Sequence, residues 1–283
     1  MFCIVGKEFI MKKFEGILIC SDLDGTLLNS NKEISRENLD AIEYFKANGG
    51  LFTFITGRMP SYVSDIYNKV NPNAPFGCVN GGGIYDHKKG EYLYTNPIDK
   101  SVLELVEYID KSLPEMGIQV SAYENVYFCK NNEAMVEFRK ETGLPNLEKN
   151  YREISEPMAK ILFADLNTDN IDKLSLMLQN HSRANEFDFI RSDKTLYEIL
   201  PKGIDKGAVL PILAELINID INKTIAIGDY NNDLGMIKTA KIGVAVENAI
   251  DELKSVADYV TVSNDNHAIA QVIYDLESGK FKI

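Results

Sequence analysis

Short apolar runs alternate with stretches of helical period along this chain, and several runs end in polar residues. Ile17 to Cys20 is unbroken apolar sequence, which reads as a parallel strand buried on both faces. Ser35 is then placed to cap a helix with Leu39, Ile42 and Phe45 on one face, closed by Gly49-Gly50. Residues 51–55 read as a second strand ending at Thr56-Gly57-Arg58. Residues 76–79 form a weaker third, ending at Asn80-Gly81-Gly82-Gly83. From about Ile84 the pattern changes. An amphipathic helix is expected at 102–109, then a hairpin of 118–123 with 126–129 turning at Glu124-Asn125. A strand at 161–163, a helix at 171–178 and strands at 187–191 and 195–200 complete this middle third. Alternation resumes with a helix at 208–217 and strands at 224–227, 242–246 and 259–262.

This order predicts a doubly wound, mainly parallel α/β core carrying an inserted α+β cap. The expected core is 16–83 with 197–283, the cap is 84–196, and residues 1–15 form an N-terminal extension. Met11-Lys12-Lys13 looks like an alternative start, so residues 1–10 are expected to be dispensable or not native to the protein. No repeat or low-complexity tract interrupts the pattern, and 283 residues suffice for one large domain or two moderate ones.

Charge and cysteine usage narrow the partners. A net charge of -12 argues against nucleic acid or an anionic membrane, but not against a small anion held through a cation. Cys3, Cys20, Cys78 and Cys129 show no metal or disulfide spacing, which fits a reducing cytoplasm. No stretch is long and apolar enough to span a bilayer, and residues 1–16 lack the apolar centre of a signal peptide.

The chemistry gathers where runs end. The first strand leads into Asp22-Leu23-Asp24-Gly25-Thr26, two acids whose cost at a sheet end demands a metal or a partner. Thr56 and Arg58 follow the second strand. In Pro201-Lys202-Gly203-Ile204-Asp205-Lys206-Gly207, Asp205 can cap a helix with Lys206 in its first turn, where an anion is favoured. Gly228-Asp229-Tyr230-Asn231-Asn232-Asp233 ends another apolar run in acids. Carboxylates converging on one sheet edge repel unless a divalent cation neutralises them, and oxygen ligands of this kind suit Mg2+.

Together these four ordered motifs resemble the haloacid dehalogenase superfamily of phosphatases, most closely the Cof-type group with the larger inserted cap. The matching residues are DLDGTLL at 22–28, TGR at 56–58, the lysine within PKGIDKG, and GDYNNDLGM at 228–236. Asn80-Gly81-Gly82, Val246-Glu247-Asn248-Ala249 and residues 257–261 resemble further landmarks, with Glu247 departing from a common glycine. The resemblance implies that Asp22 is the nucleophile, forming an aspartyl-phosphate, and that Asp24 is the general acid and base. It implies Mg2+ held by Asp22, the carbonyl of Asp24 and Asp229, with Asp233 nearby, and phosphate bound by Thr56, Lys206 and Asn232. Gly25, Arg58 and Asn248 are supporting or phosphate-contacting candidates. Lys160, Arg191 and Ser192 are cap positions for specificity.

The same residues also admit other uses. Asp-x-Asp-Gly-Thr alone could be an ordinary turn, and the later ligands of a calcium loop are missing. The Asn80–Gly83 run reads as a flexible hinge between core and insert. Lys202 reads as a solvated neighbour, Arg58 as a bridge to another acid, and Tyr123, Tyr127 and Tyr151 as packing. His87, His181 and His267 are isolated and have no role. The expected reaction is hydrolysis of a small phosphorylated metabolite in the cytoplasm: a sugar phosphate, flavin mononucleotide or pyridoxal phosphate. A phosphomutase on the same scaffold is the alternative, followed by a non-catalytic sensor, which the retained acids disfavour. An ion pump is disfavoured because related pumps carry threonine where this chain has Asp24.

Overall fold

The computed structural model describes residues 12–283, so the segment 1–10 and Cys3 lie outside the described residues. The elements in chain order are β1 (Leu18–Ser21), α1 (Arg36–Ala47), β2 (Leu51–Phe54), α2 (Ser64–Val70), β3 (Phe76–Cys78), β4 (Gly83–Asp86) and β5 (Glu91–Thr95). Then come α3 (Val102–Ser112), β6 (Gly117–Ala122), β7 (Val126–Lys130), α4 (Glu133–Thr142), β8 (Met158–Ala164), α5 (Thr168–Gln179), β9 (Phe187–Asp193) and β10 (Leu196–Pro201). The last are α6 (Lys206–Leu216), β11 (Thr224–Gly228), α7 (Leu234–Thr239), β12 (Ile242–Ala245), α8 (Asp251–Val256), β13 (Tyr259–Val260) and α9 (Ala268–Glu277).

The core sheet is parallel throughout, in the order β13-β12-β11-β1-β2. From β1 the chain steps one way to β2, and it later returns on the other side through β11, β12 and β13. Right-handed crossovers in opposite directions place helices on opposite faces. The reversal lies between β1 and β11, so their carboxyl ends open a crevice suited to a ligand. β1 is wholly buried, which is why Leu18, Ile19 and Cys20 run continuously apolar instead of alternating. Ser35 caps α1 as its spacing predicts, its side chain accepting from the Asn38 N–H.

The cap is a five-stranded antiparallel sheet in the order β7-β6-β8-β10-β9. Its outer face packs Ile118, Val120, Ile161, Phe163 and Ile199 against α3 and α5 through Leu105, Ile109, Ile171 and Leu174. Lys160, Leu162 and Glu198 occupy the alternate, inner face toward the core, as the two-residue period of a strand requires. A smaller antiparallel sheet, β3-β4-β5, joins β2 through a bridge between Ile55 and Gly77.

Several elements escaped the sequence reading. α7 and α8 are six residues each, too short to show a period, and β5 is half-exposed. Within residues 12–15 of the anticipated extension, Lys12, Lys13 and Glu15 are exposed, while Phe14 is buried, packs its ring on Phe45, and donates its N–H to the Asn48 carbonyl. The Asn80–Gly83 run is not a flexible hinge, because all four residues are buried and Gly81 lies against the Asp205 carbonyl. No helix among the described residues is long and apolar enough to cross a membrane.

Candidate active site

Asp22 lies one residue beyond β1, its N–H donating to the Ile227 carbonyl of β11 at 2.8 Å. That bond carries the ladder one step past the strand and holds the carboxylate at the crevice mouth. Lys206 opens α6, with its ammonium fully buried between Asp22 Oδ1 at 2.5 Å and Asp233 Oδ1 at 2.6 Å. The other oxygen of Asp233 accepts the N–H groups of Asp229 (2.9 Å) and Tyr230 (3.1 Å), which fixes the loop after β11. Asp229 Oδ1 accepts from the Thr26 hydroxyl at 3.0 Å. One oxygen each from Asp22, Asp229 and Asp233 lies within 4.8 Å of the others.

Two glycines make room for this cluster. Gly25 has φ +81°, and a Cβ there would sit 2.4 Å from Asp229 Oδ2. A Cβ on Gly228 would come within 2.6 Å of the Asp233 side chain. The demand at Gly25 was visible only as a sequence glycine, since its clashing partner comes from elsewhere in the fold, whereas Gly228 makes room for Asp233 of its own loop.

Three carboxylates gather beside one ammonium, which pairs with Asp22 and Asp233 and leaves the cluster with two negative charges in excess. Burial, only partly offset by Lys206 and reinforced by Asp233 and Asp229, pushes the Asp22 carboxyl well above the usual carboxylate range. Burial and the neighbouring Asp233 push Asp229 up to about 7. A hard divalent cation fits the remaining charge and the all-oxygen donor set.

Asp24 is placed apart from the three. Its carboxylate accepts two bonds from Arg58, at 2.8 and 2.7 Å, and one from Lys32 at 3.2 Å. Desolvation pushes its carboxyl up, but Arg58 and Lys32 outweigh that and hold it below the usual value. Arg58 therefore bridges to an acid, and Lys32 joins the site although its sequence context gave no sign. Thr56 is buried, its hydroxyl oxygen accepting the Arg58 N–H at 3.1 Å. Asn248 supports the Asp24-Gly25 turn, donating to the Gly25 carbonyl at 2.8 Å and accepting from the Asn264 N–H at 2.9 Å.

The cap positions divide. Lys160 reaches across to the core, donating to the Gly57 carbonyl and to Glu198, each at 3.0 Å. Ser192 donates to the other oxygen of Glu198 at 2.7 Å. Arg191 does not join them: it pairs with Asp172 at 2.5 Å, since alternation along β9 sends it to the opposite face from Ser192. Lys202 pairs with Asp188 and stays exposed. Tyr123 does more than pack, donating its hydroxyl to the Gly82 carbonyl at 2.6 Å. Asn232 donates to Asn80 at 3.1 Å, and Asn80 donates to Glu198 at 2.8 Å. Glu198 was missed, although a lone acid inside the apolar run Leu196-Tyr197-Glu198-Ile199-Leu200 was its signal.

Comparison with known proteins agrees with this geometry. Residues 19–273 match the model of the haloacid dehalogenase-like hydrolases. The chain is 31% identical to the 5-amino-6-(5-phospho-D-ribitylamino)uracil phosphatase YwtE of Bacillus subtilis, covering 93% of this chain and 99% of that one. It is 27% identical to the phosphatase YwpJ of the same organism, over 92% of this chain and 99% of the relative. A solved haloacid dehalogenase-like hydrolase from Bacteroides thetaiotaomicron superposes with a TM-score of 0.81 at 28% identity, covering 92% and 99% of the two chains. The chain therefore belongs to the haloacid dehalogenase-like hydrolases, as a phosphatase of the Cof type.

Proposed function

We propose that this phosphatase hydrolyses small phosphomonoesters through an aspartyl-phosphate on Asp22. The observation that carries the reading is the buried cluster of Asp22, Asp229 and Asp233 around Lys206 at the ends of β1 and β11. Asp22, the carbonyl of Asp24 and Asp229 would hold Mg2+, with Asp233 fixing the loop beside them. When bound, the ion supplies positive charge against the phosphoryl oxygens and keeps Asp22 ionised.

The remaining chemistry belongs to the side chains. An Asp22 oxygen attacks phosphorus in line, and the P–O bond to the leaving alkoxide breaks. Asp24 gives that alkoxide a proton, then takes one from the water that attacks the phosphoryl-aspartate, releasing phosphate and restoring the Asp22 carboxylate. Donation requires the Asp24 carboxyl to leave the Arg58 pairing it makes here. Lys206 and Thr56 stabilise charge on the transferring oxygens, and Asn232 sits beside them.

The polar inner face of the cap, with Lys160, Ser192 and Glu198, supports a polar leaving group. We place the enzyme in the cytoplasm, where such metabolites occur; Cys20, Cys78 and Cys129 being free supports this. The similarity to YwtE makes 5-amino-6-(5-phospho-D-ribitylamino)uracil the first ester to try, beside sugar phosphates, flavin mononucleotide and pyridoxal phosphate. The test is phosphate release from such a panel with Mg2+ or EDTA. Release that needs Mg2+ and vanishes in Asp22→Asn is the expected result. Phosphoryl migration without free phosphate would favour a mutase instead.

A further inference from the structure

Three successive residues on one buried loop adopt left-handed backbone: Val79 at φ 56°, Asn80 at φ 52° and Gly81 at φ 101°. A β-branched residue there is a genuine outlier, and such strain persists only where the surroundings impose it. Here the Val79 N–H donates to the Arg58 carbonyl at 3.1 Å and the Asn80 N–H to the Thr56 carbonyl at 3.0 Å. Gly81 presses so close to the start of α6 that a Cβ would lie 2.1 Å from the Asp205 carbonyl oxygen. The loop is thus clamped between the Thr56-Gly57-Arg58 turn and the helix that carries Lys206.

What the strain achieves is the placement of one amide. Asn80 is wholly buried, and its side chain lies so near Gly57 that a Cβ there would fall 2.8 Å from Asn80 Oδ1. Both ends of the amide are used. Nδ2 donates to Glu198 Oε2 of the cap at 2.8 Å, and Oδ1 accepts from Asn232 Nδ2 of the core at 3.1 Å. An ionised carboxylate only accepts, so Glu198 fixes which way the amide points and leaves the carbonyl end for Asn232. Glu198 is itself held by Lys160 at 3.0 Å and Ser192 at 2.7 Å, both from the cap. Asn232 precedes Asp233, whose carboxylate holds the Asp229 and Tyr230 N–H groups.

We propose that Asn80 is a positioning residue, oriented by Glu198 of the cap, which fixes the 229–233 loop through Asn232. The cap face and the acidic loop are then coupled through one amide, and the loop is held most firmly when Glu198 is seated. The inference deepens the proposed reaction and rests on the assignment of this loop to the catalytic machinery.

The test uses the full chain with Mg2+ and compares wild type, Asn80→Gly and Glu198→Gln. Glycine accepts the left-handed backbone, so Asn80→Gly deletes the amide without adding strain. Expected are a fall in kcat of about 10- to 100-fold with KM changed by no more than about twofold, as for a small misplacement of reacting groups. Amide hydrogen exchange at residues 229–234 is expected to quicken, while β6 and β8 keep wild-type exchange as internal controls. Glutamine can turn either end toward Asn80, so Glu198→Gln is expected to fall between the two on both measures. Unchanged exchange at 229–234 in Asn80→Gly overturns the inference whatever the turnover, and so does a loss confined to KM. If wild type releases no phosphate from any ester, the functional reading fails by itself, and the exchange comparison still decides whether Asn80 holds the loop.

Discussion

Asp22, Asp229 and Asp233 carry one more pair of charges than Lys206 can balance, and that excess sets how the protein responds to pH. Asp22 and Asp229 bind protons more tightly folded than unfolded, so their effect on stability has the opposite sign to that of an ordinary paired acid. In the absence of a divalent cation, stability falls as pH rises from the ordinary carboxylate range through about 7, where Asp229 titrates. Asp24 behaves in the usual way: its contribution is present above the ordinary carboxylate pKa and is lost in acid. The chelated protein is therefore expected to melt at a lower temperature at about pH 8 than at about pH 5.5, and Mg2+ to raise the melting temperature more at the higher pH. Thermal melts with EDTA and with Mg2+ at both values check this. An equal Mg2+ shift at both would contradict the excess of charge.

At the level of elements, α6 delivers Lys206, and its seat is set by glycine. Its N-cap Asp205 accepts from the Ala208 N–H at 2.7 Å, an arrangement readable from the spacing alone. What was not readable is the contact with the first turn of α7: a Cβ on Gly207 would lie 2.4 Å from the Gly235 carbonyl carbon. Gly207→Ala is expected to cost about 1–3 kcal/mol by overpacking and to lower kcat by displacing the adjacent Lys206. Gly203→Ala is a control with open space around it but φ +76°; it should cost about 1–2 kcal/mol of stability and leave kcat near wild type. Denaturant titrations paired with turnover measurements separate the two. Equal kcat values in both variants would show that Lys206 does not depend on this packing. The same contrast explains what the sequence displayed: motifs at strand ends are local, whereas the partner that forbids a side chain at Gly25 or Gly207 comes from a distant segment.

Across the whole molecule, cap and core meet through buried polar groups. Lys160 spans from β8 to the Gly57 carbonyl, Asn80 spans from the core to Glu198, and Tyr123 reaches the Gly82 carbonyl. Parallel core and antiparallel cap were legible because continuous apolar runs and hairpin-separated runs differ in pattern. Lys160 was named only as a cap position for specificity. Glu198 went unread, because Lys160 and Asn80, two of its three partners, lie 38 and 118 residues away in sequence. Arg191 was misread for a related reason: without the register of β9, its face could not be known. The Lys160–Glu198 pair is almost fully buried, so Lys160→Met leaves an uncompensated carboxylate and is expected to cost about 3–5 kcal/mol. Replacing both residues, as Lys160→Met with Glu198→Leu, should regain most of that loss in denaturant titrations. A single variant as stable as wild type would mean that the pair does not hold the cap.

The central claim is that Asp22 itself receives the phosphoryl group, and acid-quenched single turnover with a 32P-labelled ester tests it most directly. The account predicts label on the protein within the first turnover, released by hydroxylamine, mapped to the peptide containing Asp22 and absent in Asp22→Asn. Phosphate released in that turnover with no label passing through the protein would contradict it.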